Sequence, residues 1–346
     1  MKKNNLDLFS GVSSRGVWMA AAGIGLAALA KIVYTKMTRY DFRDKVVLIT
    51  GGSRGLGLEM ARVLATKGSK IAICARTENQ LEKAEFDPEL EGAEILAIRA
   101  DLTNASEANK VVQEVISHFG RLDVLINNAG IMVVGPENVM EIEDYQHVMD
   151  ANLWSALYTM KAAIPHFLIQ GEGRIANICS IGGKIAVPHM LPYSVSKFAM
   201  VGLSEGMGAE LKKDNIQVTT VIPNLMRTGS PRNVSVKGNH ESEYEWFKLA
   251  DSLPFLAQDS KTAAKEIIEA IEDGENEVVL TATGKIVTAL KGIMPGSVTT
   301  LTQFADRFFP RSNNKELKKG SESETEATTG LVGSVTDRAA AANNEL

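Results

Sequence analysis

Cysteine is nearly absent from this 346-residue chain: only Cys74 and Cys179 occur, each inside an apolar run. Two thiols so placed make no disulfide framework and read as buried and reduced. Histidine is as sparse, with five scattered residues, no H-E-x-x-H and no paired C-x-x-C, so no metal site is expected. A dominant charge is missing too, since 37 Lys plus Arg oppose 42 Asp plus Glu, a net charge of −5. That balance lacks the basic face with which proteins grip nucleic acid. Apolar residues nevertheless reach 45% and charged residues 23%. Wholesale disorder, a collagen-like fibre and a many-span membrane protein are excluded, leaving one enlarged α/β domain with appendages.

One long apolar run lies near the start. Residues 17–30 carry no charge, and Gly16 to Tyr34 contain a single lysine, Lys31. As a helix the run spans roughly 28 Å, close to a hydrocarbon core of roughly 30 Å. Three uses fit residues 1–40: an uncleaved membrane anchor, a helix lying on a surface, or a cleaved signal peptide. Basic residues follow the run (Lys31, Lys36, Arg39, Arg43, Lys45), which for an anchor leaves the downstream domain in the cytoplasm.

From 41 to 283 short apolar runs alternate with helical stretches. Strands are expected at 46–50, 71–75, 95–101, 123–128, 174–180, 217–223 and 277–282, with helices at 56–67, 78–85, 105–119, 152–169, 194–213 and 261–272. Near-continuous β-branched strands between helices mark a parallel sheet covered on both faces. The fold class is therefore α/β: a single doubly wound, Rossmann-like sheet of about seven strands. Residues 284–310 form a helical hairpin broken at Pro295-Gly296. Ile286, Leu290 and Ile293, then Leu301, Phe304 and Phe308, make an apolar side expected to pack on its own domain; a lid, a dimer contact or a membrane contact would use it differently. Residues 311–346 contain no aromatic residue and are rich in Lys, Ser, Thr, Glu and Asn, the composition of a disordered tail.

The first strand runs straight into T-G-G-S-R-G-L-G (50–57). Gly51, Gly55 and Gly57 let the backbone turn sharply and approach a pyrophosphate, and the following helix offers free N–H groups and a positive dipole end. A carboxylate at the end of the second strand would hold the ribose of NAD. This chain has Arg76 there, and Arg54 inside the turn. Two guanidinium groups suit a ribose 2′-phosphate, so NADP(H) is the expected cofactor.

Tyr193 and Lys197 are four apart at a helix start and share one face. A phenol with a free pKa of roughly 10 is a poor proton carrier at neutral pH, and a neighbouring ammonium favours its ionised form. Ser180 ends the fifth strand before Gly182-Gly183, where its hydroxyl can bond the oxygen whose charge changes during hydride transfer.

Together these motifs resemble the short-chain dehydrogenase/reductase family, in the branch with T-G-x-x-x-G-x-G and Y-x-x-x-K. TGGSRGLG (50–57), Asp101-Leu102, NNAG (127–130), Asn152 in DANLWS, Ser180 in ICSIGG, YSVSK (193–197) and PNLMRT (223–228) occur in the family's order and cover about 44–282. The resemblance implies a catalytic tetrad of Asn152, Ser180, Tyr193 and Lys197. In it Tyr193 exchanges the proton and Ser180 orients the carbonyl. Lys197 would hold the nicotinamide ribose, and Asn152 would kink its helix and support a water relay. The cofactor would meet Gly51, Ser53, Arg54, Gly55, Leu56 and Gly57 at the turn and Arg76 beyond it. Asp101 and Leu102 would line the adenine, Asn128, Ala129 and Gly130 the ribose, and Thr228 the nicotinamide end. One departure is Pro223-Asn224 where the family commonly has Pro-Gly. Asn tolerates positive φ, so the loop can keep its course.

Residues 229–256 fall where this family's substrate loop lies. Trp246, Phe247, Leu249, Leu253, Phe255 and Leu256 either cover the nicotinamide or pack as an ordinary helix face. A lipophilic small-molecule carbonyl or secondary alcohol is the expected substrate, and a homo-oligomer through the long helices is a family habit. Two function classes follow: an NADPH-dependent carbonyl reductase, or a cofactor-binding redox sensor without turnover. An intact, pKa-tuned phenol favours the enzyme.

Overall fold

Val46–Thr50 (β1) is buried along its whole length, as a strand covered on both faces requires. In the computed structural model, which describes residues 39–252, 257–329 and 333–346, β1 pairs in parallel with Lys70–Ala75 (β2) and Val124–Asn127 (β4). Ile95–Arg99 (β3), Gly173–Ile178 (β5), Ile216–Ile222 (β6) and Glu277–Val279 (β7) complete a seven-stranded sheet of order β7-β6-β5-β4-β1-β2-β3, with every pairing parallel. The order reverses between β1 and β4, which opens a crevice at the carboxyl ends of those strands. The fold is Rossmann-like. The apolar N-terminal run 16–34, with the anchor, surface-helix and signal-peptide readings, lies outside the described residues.

Alternation along the strands divides the core. Val46, Leu48, Ala72 and Cys74 cluster with Ala108, Val111, Val112 and Val115 of a helix at Ala105–Phe119 and with Met160, Ala163 and Phe167 of another at Ser155–Gln170. Val47, Ile49, Ile71 and Ile73, equally buried, alternate to the opposite face. In chain order the helices are α1 (Gly55–Thr66), α2 (Glu78–Glu85), α3 (Ala105–Phe119), α4 (Ile142–Met149), α5 (Ser155–Gln170), α6 (Leu191–Leu211), α7 (His240–Ser252) and α8 (Ser260–Glu272). The side chain of Asn104 caps α3 by accepting from the Ser106 and Glu107 amides.

The appendages depart from expectation. The hairpin forms as α9 (Ala282–Ile293) and α10 (Pro295–Ala305), but Ile286, Leu290, Ile293, Leu301, Phe304 and Phe308 stand exposed instead of packing on the domain. Its far end docks, where the Phe309 ring stacks on His189 and meets Trp246 edge-on.

The expected loose tail also takes up structure. Lys318–Lys319 pairs antiparallel with Ser235–Val236, and α11 (Glu326–Thr329) and α12 (Gly333–Ala342) follow. Polar pairing substitutes for the missing apolar surface. Lys248, 1% exposed, reaches Glu324 at 3.1 Å and Asp337 at 3.0 Å, and Ser252 bonds Thr336 at 2.7 Å. Composition detects apolar deficit but not complementary charge elsewhere in the chain. Residues Asp41–Leu346 form one unit, and no helix among the described residues is long and apolar enough to cross a membrane.

Candidate active site

The turn after β1 depends on glycine for two physical reasons. Gly51 and Gly55 hold φ of 62° and 57°, the left-handed region, and a Cβ on Gly57 would sit 2.3 Å from the Gly51 carbonyl oxygen. Thr50 and Asn128 brace this turn. The Thr50 hydroxyl accepts from the Asn128 and Ala129 amides at 2.9 and 3.0 Å, and the Asn128 amide nitrogen donates to the Thr50 and Gly51 carbonyls. Thr50 is a working residue that motif reading passed over.

A single cleft at the carboxyl ends of the strands is lined by Gly51, Ser53, Arg54, Gly55, Leu56, Arg76, Asp101, Leu102, Asn128, Ala129, Gly130, Ser180, Tyr193, Lys197 and Thr228. Of the expected site residues, Gly57 and Asn152 stand just behind its wall. The Asp101 carboxylate is turned to Thr103, accepting from its amide at 3.1 Å and its hydroxyl at 2.9 Å. Thr228, 4% exposed, caps the Ser230 amide. The departure at Asn224 needs no positive φ, because the chain continues into Leu225–Arg227, which pairs with Ala257–Asp259. Cys74 and Cys179 are free and buried, and burial pushes both thiols up to about 12.

Asn152 lies in a π-turn, Asp150–Trp154, between α4 and α5. Its Oδ1 accepts from the Ile131 amide at 2.7 Å, and its Nδ2 donates to the Ile131 carbonyl at 3.0 Å and to the Ser196 hydroxyl at 2.9 Å. Ser196, which sequence reasoning missed, donates to the Tyr193 carbonyl at 2.7 Å and ties Asn152 to the start of α6. A Cβ on Gly130 would meet Asn152 Oδ1 at 3.1 Å and Lys197 Nζ at 3.7 Å, so these two side chains converge on one backbone point.

Ser180 Oγ accepts from the Gly182 amide at 3.0 Å, which aims the hydroxyl at Tyr193. Burial pushes the Tyr193 phenol up to about 12, and the Ser180 hydrogen bond and the Cys179 thiol act in opposite senses on that rise. Burial also holds Lys197 below the usual ammonium range. The expected lowering of the phenol by its lysine is therefore not found here, and burial is the main cause of the rise. Lys197 Nζ lies 5.6 Å from the ring centroid and spends a hydrogen bond of 2.9 Å on the Ile178 carbonyl.

The tail supplies the residue that no motif pointed to. Glu345, buried, enters the cleft and pairs with Arg54 at 3.1 Å. Arg76 lines the cleft and is exposed.

With this geometry in place, the family described as short chain dehydrogenase matches residues 45–237. An Arabidopsis thaliana protein named 11-beta-hydroxysteroid dehydrogenase-like 2 is 34% identical over 75% of this chain and 81% of its own length. A Danio rerio protein named dehydrogenase/reductase SDR family member 7B is 29% identical over 77% of this chain and 86% of its own. A Sinorhizobium meliloti crystal structure shares the fold, with a TM-score of 0.63 and 24% identity over 71% of this chain and 98% of that one. The chain belongs to the short-chain dehydrogenase family. It is an oxidoreductase of the class that binds a nicotinamide dinucleotide and acts on small molecules.

Proposed function

We propose that the protein is an NADP(H)-dependent carbonyl reductase that converts a lipophilic ketone or aldehyde to its alcohol, with Tyr193 as the proton donor. One observation carries this reading. Ser180, Tyr193 and Lys197 line the same cleft as the glycine turn, Arg54 and Arg76.

The residues present fit the dinucleotide. Gly51 brings the turn so near the Asn128–Gly130 segment that a Cβ there would lie 3.0 Å from Ala129 Cα. The Glu345 carboxylate beside Arg54 marks the spot as one that holds an anion. When bound, the reduced nicotinamide supplies the hydride. The chain's own groups do the rest. Tyr193, kept protonated at neutral pH by burial, gives a proton to the developing alkoxide. Ser180 holds that oxygen, and Lys197 would hold the ribose and steady the charge left on the phenol.

Met132, Val187, Leu225 and Trp246 pack with Tyr193 around a cluster that includes Met190 and Phe247. This apolar cluster reaches the cleft through Met132 and Tyr193 and, with the hydroxysteroid dehydrogenase-like name of a relative, supports a lipophilic substrate. Trp246 and Phe247 pack as a helix face and do not line the cleft, whereas Leu249 is exposed and Leu253, Phe255 and Leu256 lie outside the described residues. The test is a titration of NADPH and NADH, followed by a carbonyl panel that includes steroids and long-chain ketones. NADPH should bind at least tenfold more tightly than NADH, a margin that alanine at Arg54 and Arg76 should erase. Equal affinities would remove the NADP(H) reading. Activity confined to small polar carbonyls would remove the lipophilic one.

A further inference from the structure

The last residues of the chain are seated on the phosphate-binding turn. Asn343 carbonyl oxygen accepts from the Gly55 amide at 2.9 Å, one of the free N–H groups at the start of α1. Glu345 Oε2 pairs with Arg54 at 3.1 Å and accepts from Asn233 Nδ2 at 2.6 Å. Its Oε1 lies directly over the turn, 2.6 Å from where a Cβ on Gly55 would stand. Asn344 donates to the Ser53 and Gln80 carbonyls at 2.9 and 3.0 Å, and its φ of 56° makes the sharp exit from α12. Asn is among the residues that tolerate this conformation.

We propose that Asn343–Leu346 is an intramolecular competitor for the cofactor: when seated, Glu345 takes the anion position at Arg54 and the α1 N-terminus, and a dinucleotide enters only after the segment withdraws. This rests on the NADP(H) reading above. The tail uses the same donors that a pyrophosphate and a 2′-phosphate would use, and a carboxylate brings less charge and fewer acceptor oxygens to them. Burial opposes the Glu345 charge against the pull of Arg54 and Asn233. The tail also reaches the substrate side. α12 packs on α7, where Ser252 meets Thr336 and Lys248 meets Asp337.

A tail seated about 90% of the time weakens apparent cofactor affinity about tenfold. Glu345→Gln in the full chain, and separately removal of residues 343–346, should each tighten NADPH and NADH binding by roughly that same factor, since both dinucleotides enter only after withdrawal. Asn344→Ala, which removes no charge, should act in the same direction. Hydrogen exchange read on the unaltered chain should show residues 340–346 losing protection when NADPH is added. Unchanged NADPH affinity in all three variants, or a tail that stays protected while NADPH binds, overturns the competition. Failure of every form to bind either dinucleotide instead overturns the cofactor reading, and the competition with it.

Discussion

The Lys197 ammonium donates to the Ile178 carbonyl at 2.9 Å, which anchors the base of α6 to the end of β5. That bond holds the amine beneath the Tyr193 ring without forming a direct ion pair, and burial governs both groups.

The direction of catalysis follows. A Tyr193 pKa pushed up to about 12 leaves the phenol protonated throughout the neutral range. Carbonyl reduction should then be nearly flat from pH 6 to 9, while alcohol oxidation, which needs the phenolate, should climb about tenfold per pH unit while chemistry limits the rate. Steady-state rates in both directions check this. A reduction profile that bends near pH 7 would be inconsistent with it.

Replacing Tyr193 with Phe should lower kcat by about a thousandfold, within the usual range for losing a general acid, and leave the NADPH Kd within about twofold. Turnover surviving in that variant would point to another proton donor. Loss of cofactor binding would point to a structural role instead.

Gly130 is where Asn152 and Lys197 meet. Asn152 Oδ1 cannot retreat from a Cβ at 3.1 Å without giving up its 2.7 Å bond to the Ile131 amide. Gly130→Ala should therefore cost about 1–3 kcal/mol in stability, the usual cost of overpacking, with a fall in kcat larger than the rise in KM. Chemical unfolding and kinetics measure the two effects. A variant with wild-type kcat would show that the Asn152 geometry is not needed.

Asp251 offers a test of stability against pH. Burial pushes its carboxyl up to about 8, against partial relief from Arg227, and its Oδ2 has no hydrogen-bond partner among the described residues. The folded chain thus keeps this proton between about pH 4 and pH 8, where the unfolded chain has released it. Stability falls as pH rises through that window, by at most about 1.4 kcal/mol per unit. Asp251→Asn removes the titration, so its gain in Tm over wild type should be small at pH 5 and larger at pH 8. A gain independent of pH would contradict the assignment.

Much of this site was legible beforehand, for local reasons. β1 and β6 announced themselves as near-continuous β-branched runs, because both faces of a central parallel strand are covered. Tyr193 and Lys197 could be paired because a helix brings residues four apart onto one side. The short elements at Val133–Val134 and Ser235–Val236 carried no such signal, since two residues cannot show a period. The apolar side of the hairpin was read correctly as a stripe. Its exposure was not, because periodicity names a face and not what covers it.

By itself, the amino-acid sequence determined the alternation of strands and helices, the turn that only glycine can make, and the spacing of serine, tyrosine and lysine. Each follows from backbone sterics or from the geometry of a single element. Tertiary structure alone decided that burial pushes up the Tyr193 hydroxyl, and that Glu345 lies against Arg54. Desolvation and long-range ion pairing depend on what folding brings alongside a group, and no local pattern along the chain encodes that.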